Sequence, residues 1–292
     1  MDLGRVGIWH FLDLFPARVA QDAAREIEGL GFKALWIPEA LGREAFTHSG
    51  ILLAGTTRLV VATGIANVWG RDAMAMAAAQ QTLAEAYPDR FLLGMGVSHA
   101  PLVAGMRGHD YAKPLAFLRR YLDAMDAAVF MGVQPATPPP RVLASLHPQS
   151  LALARERAWG SHPYFVPPEH TARAREILGP GKLLAPEQMV CFETDPAVAR
   201  AIARQAMQTY LGLPNYVRNL HSLGFTEADV ANGGSDRLVD AIVAWGSIDA
   251  IVARVQAHHD AGADHVCLQV LRANPAELPH DEWRALAAAF VR

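Results

Sequence analysis

Two hydrophobic rhythms alternate along this chain. Short, wholly apolar runs are followed by stretches in which apolar residues return every three or four positions, the spacing of one buried helix face. Val6–Trp9 is the first run. Pro16 then opens a helix with Val19, Ala23, Ile27 and Leu30 on one face, and Gly31 stops it. The run Ala34–Ile37 follows at once. A helix over Phe46–Ala54, a strand over Leu59–Ile65, a helix over Ala73–Ala86 capped by Asp72, and a strand over Phe91–Met95 continue the pattern.

The second half is less even. A helix over Pro114–Val129 and a stiff proline-rich connector over 132–141 lead to a fifth strand, Val142–Ser145. The pattern predicts a helix over Gln149–Ala158, a sixth strand at Tyr164–Val166, a helix over Glu169–Leu178 and a seventh strand at Gln188–Phe192. Asp195-Pro196 marks a strong helix start, an acid at the cap with proline behind it. An insertion over roughly 208–246 follows, with Thr226 and Asp229 spaced as a capping box. Ser247 caps a helix ending at Gly262, the last strand is His265–Leu271, and a helix over Asp281–Val291 closes the chain. Eight strands alternating with helices predict a parallel (β/α)₈ TIM barrel, one domain over residues 1–292, with a helical insertion between strands 7 and 8. Apolar character on both strand faces agrees, because parallel strands are covered by helices.

Composition narrows the function classes. Hydrophobic residues make up 51% of the chain and charged ones 19%, which suits a large buried core. The net charge of −3 comes without blocks of one sign, so neither nucleic acid nor an anionic membrane is an expected partner. Cys191 and Cys267 both lie in apolar runs and read as reduced core thiols. Without a leader-like or membrane-spanning stretch, a soluble cytoplasmic protein is expected.

Several motif starts fail. Gly94-Met95-Gly96-Val97-Ser98-His99 has histidine where a dinucleotide fingerprint needs its third glycine. Gly179-Pro180-Gly181-Lys182 continues with leucine, not the serine or threonine of a P-loop. His258 and His259 are adjacent, so they face apart on a helix, and no metal site is expected. Polar residues instead collect where barrel strands end, the place where such barrels carry their chemistry. They are His10 and Asp13; Glu39, Arg43 and Glu44; Asn67, Trp69 and Arg71; Ser98 and His99; Ser145 and His147; His162 and Tyr164. Glu39 follows a buried Trp36-Ile37-Pro38 run, where a carboxylate requires a partner: Arg43, Arg71 or a ligand. For His10 a barrel-packing role and a functional role stand level, and Trp69 is as well placed for packing as for stacking on a flat ring.

The run TGIANVWGRDAMAMAAAQQTLAEAYPDRFLLGMGVSH resembles the signature of luciferase-like monooxygenases and F420-dependent oxidoreductases. EIEGLGFKALWIPEA, VLASLHPQSLALARERAWG and AHHDAGADHVCLQVL resemble that superfamily's second-strand, fifth-strand and closing segments. The resemblance implies that Glu39, where aspartate is usual, contacts the cofactor ring. A non-proline cis peptide is implied at or beside Gly64–Ile65, with Ala66 and Asn67 at the ring edge. Gly96, Val97 and Ser98 would approach the cofactor's ribityl chain and phosphate. Ser145, Leu146 and His147 form the fifth-strand loop whose amides reach the phosphate, and His147 replaces the usual glycine, either binding the phosphate or blocking it. His99 stands where some relatives carry a catalytic acid, and Ala40 where some dehydrogenases have histidine.

The resemblance thus implies hydride transfer between F420 and a small organic substrate, with His10 and His99 as acid–base candidates, because histidine titrates near neutrality. A monooxygenase using reduced FMN and oxygen is the alternative, and a flavin-binding barrel without turnover a third. A phosphate-sugar barrel enzyme ranks last, since no lysine lies at a strand end. The family also suggests a homodimer.

Overall fold

The computed structural model describes residues 1–291. Eleven strands form one parallel sheet: β1 (Val6–Trp9), β2 (Ala34–Ile37), β3 (Val60–Thr63), β4 (Ala66–Asn67), β5 (Phe91–Gly96), β6 (Arg141–Leu143), β7 (Gly160–Ser161), β8 (Leu183–Leu184), β9 (Glu187–Cys191), β10 (Val243–Trp245) and β11 (Val266–Val270). The sheet runs β10-β9-β11-β1-β2-β3-β5-β6-β7-β8, with β4 beside β5. Only Ala185 and Pro186 separate β8 from β9, so the two ends of the path belong to one piece of chain. Hydrogen bonds from Ala185 N to Ser161 O (2.9 Å) and from Glu187 N to Pro163 O (2.9 Å) carry the pairing across that seam. The result is the expected barrel of eight staves, two of them broken into paired segments, with β10 as an added strand.

Helices cover the outside and bury their apolar stripes against outward-facing strand residues such as Leu35, Val61 and Leu93. Inside lie Trp9, Trp36, Ala62, Leu92, Val142 and Cys267. The caps are those the sequence signals: Asp72 Oδ1 accepts from Ala75 N at 2.8 Å, Asp195 Oδ1 from Ala197 N at 2.8 Å, and Thr226 and Asp229 complete a capping box. The insertion folds into helices at Pro196–Leu211, Pro214–Ser222, Glu227–Val230 and Asp236–Ile242, packed as a separate apolar cluster against Phe165, Met189 and Cys191.

Two strands differ from the sequence expectation. The sixth is Gly160–Ser161, not Tyr164–Val166, because Phe165 takes φ +61°, a left-handed conformation that no strand accommodates. The third does not run unbroken to Ile65. Ala62 pairs with Leu92 and Ala66 with Met95, so four steps on one strand face three on the other and one residue is extra. This bulge contains the cis Gly64–Ile65 bond, at the bond anticipated. Thr63 repairs the ladder there: its hydroxyl donates to Gly94 O at 2.6 Å and accepts from Gly94 N at 2.9 Å. Gly94 can be only glycine, since a side chain would overlap the Thr63 carbonyl. Replacing Thr63 by valine leaves both buried Gly94 groups unpaired, and a loss of about 2 kcal/mol in urea unfolding is expected; an unchanged midpoint would show that the hydroxyl is dispensable.

Candidate functional site

The bulge sits at the C-terminal mouth of the barrel and is pinned from the neighbouring strand. Gly64 N donates to Ile37 O at 2.7 Å, and Glu39 N donates to Ile65 O at 3.1 Å. The Glu39 side chain then fixes the residues beyond the bulge: Oε2 accepts from Asn67 N at 2.7 Å and Oε1 from Ala45 N at 3.2 Å. Its charge partner is Arg71, which forks onto both carboxylate oxygens, one at 3.0 Å, and also reaches Asn67 O at 3.2 Å and Glu44 at 2.8 Å. The Glu39 and Arg71 side chains are 6% and 11% exposed, so the pair is largely withdrawn from water. Of the partners considered from sequence, Arg71 is the one chosen. Arg43 turns instead to the carbonyls of Leu12 and Phe15.

Glu39 therefore holds the bulge and the following loop through Asn67. Asn67 is fully buried; its Oδ1 accepts from Trp69 N at 3.0 Å, and its Nδ2 has no hydrogen-bond partner. Trp69 stacks on Phe117 with ring centres 3.7 Å apart and donates to Val97 O at 3.1 Å, so its ring packs the loop wall and offers no free face there. Ala66 is buried beside Asn67.

His10 follows β1 directly and, one residue after the inward Trp9, turns toward Phe15 and the closing helix. It lies 5.4 Å from Trp283 edge-on, its Nε2 is buried without a partner, and burial pushes it down to about 4. Gly96 closes β5, where a Cβ would lie 2.9 Å from Ala144 Cβ and 3.3 Å from the Ile65 side chain, so those two side chains pack directly on the backbone. Val97 and Ser98 continue from it, and the Ser98 carbonyl is held by the Tyr111 hydroxyl at 2.6 Å. His99 packs 5.0 Å from Tyr216 of the insertion, and burial pushes it down to about 4. Both histidines are neutral bases at pH 7.

Ser145, Leu146 and His147 lead into the helix Pro148–Arg157. Ser145 bonds to Ser150 O at 3.1 Å, Leu146 is buried, and His147 N bonds to Ser150 Oγ at 3.2 Å. The His147 ring bonds to Asn215 Oδ1 of the insertion at 2.9 Å. Below them lies an aromatic layer: Tyr164 bonds to Tyr210 at 2.6 Å and to Gln269 at 2.7 Å, and Tyr216 packs on both tyrosines. Tyr210, Tyr216 and Asn215 escape a strand-end survey because they arrive from the insertion; the only local sign was the Leu213-Pro214 helix start.

The residues at this mouth match the needs of a flat, polar-edged ring. Unpaired buried nitrogens lie at the bulge, on Asn67 just beyond it and on Trp9 and His162, whose ring nitrogens would stand 2.7 and 2.9 Å from a Cβ on Gly64, and such groups suit a heteroaromatic ring with carbonyl and imide edges. A groove of 670 Å³ lies elsewhere, by Arg141 at the opposite end of β6, lined by Phe130, Pro139 and Trp159 and remote from this chemistry.

The sequence profile of the luciferase-like monooxygenase family matches residues 3–265. The chain belongs to that family. Over 96% of its length it is 26% identical to 97% of a Mycobacterium tuberculosis protein named, provisionally, a coenzyme F420-dependent oxidoreductase. Its fold is similar to that of an F420-dependent secondary alcohol dehydrogenase solved with an F420-acetone adduct, with a TM-score of 0.80 at 13% identity over 99% of this chain and 98% of that one. It is also similar to the FMN-bound oxygenating constituent of 3,6-diketocamphane monooxygenase from Pseudomonas putida, with a TM-score of 0.72 at 15% identity over 100% and 98% of the two chains. Members of this luciferase-like group are oxidoreductases and monooxygenases, and the chain is an enzyme of that class. No helix among its described residues is long and apolar enough to cross a membrane.

Proposed function

We propose that this luciferase-like enzyme transfers a hydride between the deazaflavin F420 and a small organic substrate. The observation that carries the reading is the fully buried, unpartnered Asn67 nitrogen held beyond the Glu39-pinned bulge at the barrel mouth. Likeness to the mycobacterial relative along nearly the whole chain supports F420 over FMN. Asn67 would meet a carbonyl edge of the ring, and Gly64, Ile65 and Ala66 would back it. Gly96, Val97 and Ser98 would lie along the side chain of the cofactor, and the helix start after Ser145, Leu146 and His147 would face its phosphate. When bound, the cofactor supplies the hydride acceptor or donor.

The chain's own residues orient, exclude water and move a proton. His10 and His99 are held neutral and can accept one. Glu39 works through Asn67: its carboxylate is committed to Arg71 and two backbone amides.

Parallel fluorescence titrations with F420 and FMN test the reading. F420 should bind in the micromolar range or tighter and FMN more weakly. Glu39→Ala, which frees the Asn67 loop, should weaken F420 binding at least tenfold. Preference for FMN would move the enzyme to the oxygen-using branch of the family. Binding of neither would mean that His147 and Asn215 close the phosphate site.

A further inference from the structure

One side chain of the insertion is tied to the helix start at His147. The helix Pro148–Arg157 opens with amides that no carbonyl inside the helix can accept, and its dipole adds partial positive charge there. Pro148 has no N–H, so Gln149 and Ser150 carry the first of these amides. His147 caps this end with its side chain turned to the Ser150 amide in the manner of a capping box. On the far side of the ring, Nε2 lies 2.9 Å from Asn215 Oδ1. An amide oxygen only accepts, so Nε2 carries the proton of the neutral ring, and Nδ1 is the lone pair left for the helix amide.

Asn215 is the second residue of the helix Pro214–Ser222, and the next, Tyr216, packs 5.0 Å from His99 at the mouth. The C-terminal end of this helix is fastened elsewhere: Arg173 bonds to Ser222 Oγ at 2.9 Å and to Ser222 O at 3.0 Å, and Gly224 turns the chain away with φ +89°. Among the described residues, the His147–Asn215 bond is the one hydrogen bond joining the N-terminal half of the helix to the barrel. One imidazole therefore serves two partners. An anion that takes the Gln149 and Ser150 amides has to move the ring off them, and a ring that moves cannot keep its bond to Asn215.

We propose that Asn215 is a positioning residue of the phosphate site. It holds the His147 ring over the helix start as a removable plug, and an anion that binds there displaces the ring and frees the Pro214–Ser222 helix from the mouth. This rests on the reading that a phosphate of the cofactor lies at that helix start. Linkage sets the signs: whatever opens the plug tightens the anion, and the anion opens the plug by the same factor. With the plug closed, Tyr216 stays against His99, so the phosphate end of a ligand uncovers the mouth that its ring then enters.

Inorganic phosphate is the probe, titrated calorimetrically into the full chain while hydrogen exchange is followed in peptides covering residues 213–223. In wild type, phosphate should speed exchange over that stretch, saturating where the heat saturates. Asn215→Ala should exchange fast without phosphate and bind it about two- to tenfold more tightly, the worth of one hydrogen bond. Asn215→Asp keeps the acceptor and adds negative charge, so it should bind phosphate more weakly than wild type. His147→Ala should also bind more tightly, and adding Asn215→Ala to it should change nothing further, because Asn215 acts only through the ring. Phosphate that binds wild type with exchange unmoved, or binds Asn215→Ala no more tightly, overturns the inference and leaves the hydride-transfer reading to the F420 titration. Failure of every variant to bind phosphate, while F420 or FMN still binds, places the phosphate elsewhere and overturns it as well. A chain that binds none of the three loses the functional reading and the plug together.

Discussion

Lowering the pH from 7 to 4 is expected to unfold this barrel cooperatively. Among the wholly buried histidines, His162, His170, His258 and His265 are hydrogen-bonded as neutral rings. His265 Nδ1 donates to Gly4 O at 2.7 Å while its Nε2 accepts from the Trp36 indole at 3.1 Å. Gln188 gives its amide hydrogens to Met189 O and Ile242 O, which turns its oxygen to His258 Nε2; His258 Nδ1 then accepts from Thr171. A proton added to His265 sets its Nε2 against the Trp36 donor, and one added to His258 puts a charge in a buried site with no anion beside it. His162 and His170 each spend one N–H on a backbone carbonyl, of Ala185 and Leu146. Burial pushes His162, His170 and His265 down to about 4 and His258 to about 3, against 6.5 for a free ring.

Proton counting gives the sign. Between pH 6.5 and 4 the unfolded chain takes up protons that the folded chain refuses, so stability is full above pH 6.5 and lost as the pH falls through that window. Each ring is worth roughly 3 kcal/mol at the bottom of the window, and four together rival the whole stability of an ordinary domain, about 5–15 kcal/mol. Glu187 has the opposite sign: its contribution is full below pH 4.5 and declines as the pH rises toward 8. Far-ultraviolet circular dichroism and tryptophan fluorescence between pH 7 and 4 should record one transition complete before pH 4. A native spectrum at pH 4 would mean that the rings are charged in the fold. Glu187→Gln should extend the stable range on the alkaline side.

Arg71→Ala is expected to cost about 3–5 kcal/mol, because it strands the Glu39 carboxylate in a buried site. The loss is larger than for a surface pair because both Glu39 oxygens receive guanidinium nitrogens and the Arg71 guanidinium also lies over the Phe46 ring at 5.1 Å. Lysine at this position keeps the charge without the planar fork, so Arg71→Lys should fall between alanine and wild type. Urea unfolding gives the stability, and cofactor titration gives a second readout, since the Asn67 loop hangs on the same carboxylate. An alanine variant within about 1 kcal/mol of wild type would show that water reaches Glu39 and that the bulge is held by backbone bonds alone.

Much of this was legible in the sequence for a physical reason. Val6–Trp9, Ala34–Ile37 and Phe91–Met95 are buried on both faces, so they had to be apolar throughout and stood out from the helices. Asp72, Asp195 and Ser247 advertise helix starts because a free amide needs a short acceptor nearby. The sixth strand was misplaced because Tyr164-Phe165-Val166 looks more strand-like than Gly160-Ser161. Its apolar surface answers to Tyr210 and Tyr216, far along the chain, and not to a sheet. Glu39 needed a partner on energetic grounds alone, but choosing Arg71 over Arg43 took the bulge, which sequence periodicity does not encode. Glu187 went unnoticed because one acid at the edge of an apolar run normally signals the end of burial, and here it lies within it.

The insertion leaves the barrel and returns to it at one point. Cys191 ends β9 and Val243 begins β10, whose residues pair with Met189 to Cys191, so residues 192–242 hang from two adjacent strands. The entropy of closing such a loop grows only with the logarithm of its length. The segment can therefore lengthen, shorten or be exchanged wholesale for another while the staves keep their register. Such a cassette would let one scaffold change what it admits to the mouth without refolding what holds the ring, and a chimera carrying a relative's 192–242 segment is the natural unit in which to swap selectivity.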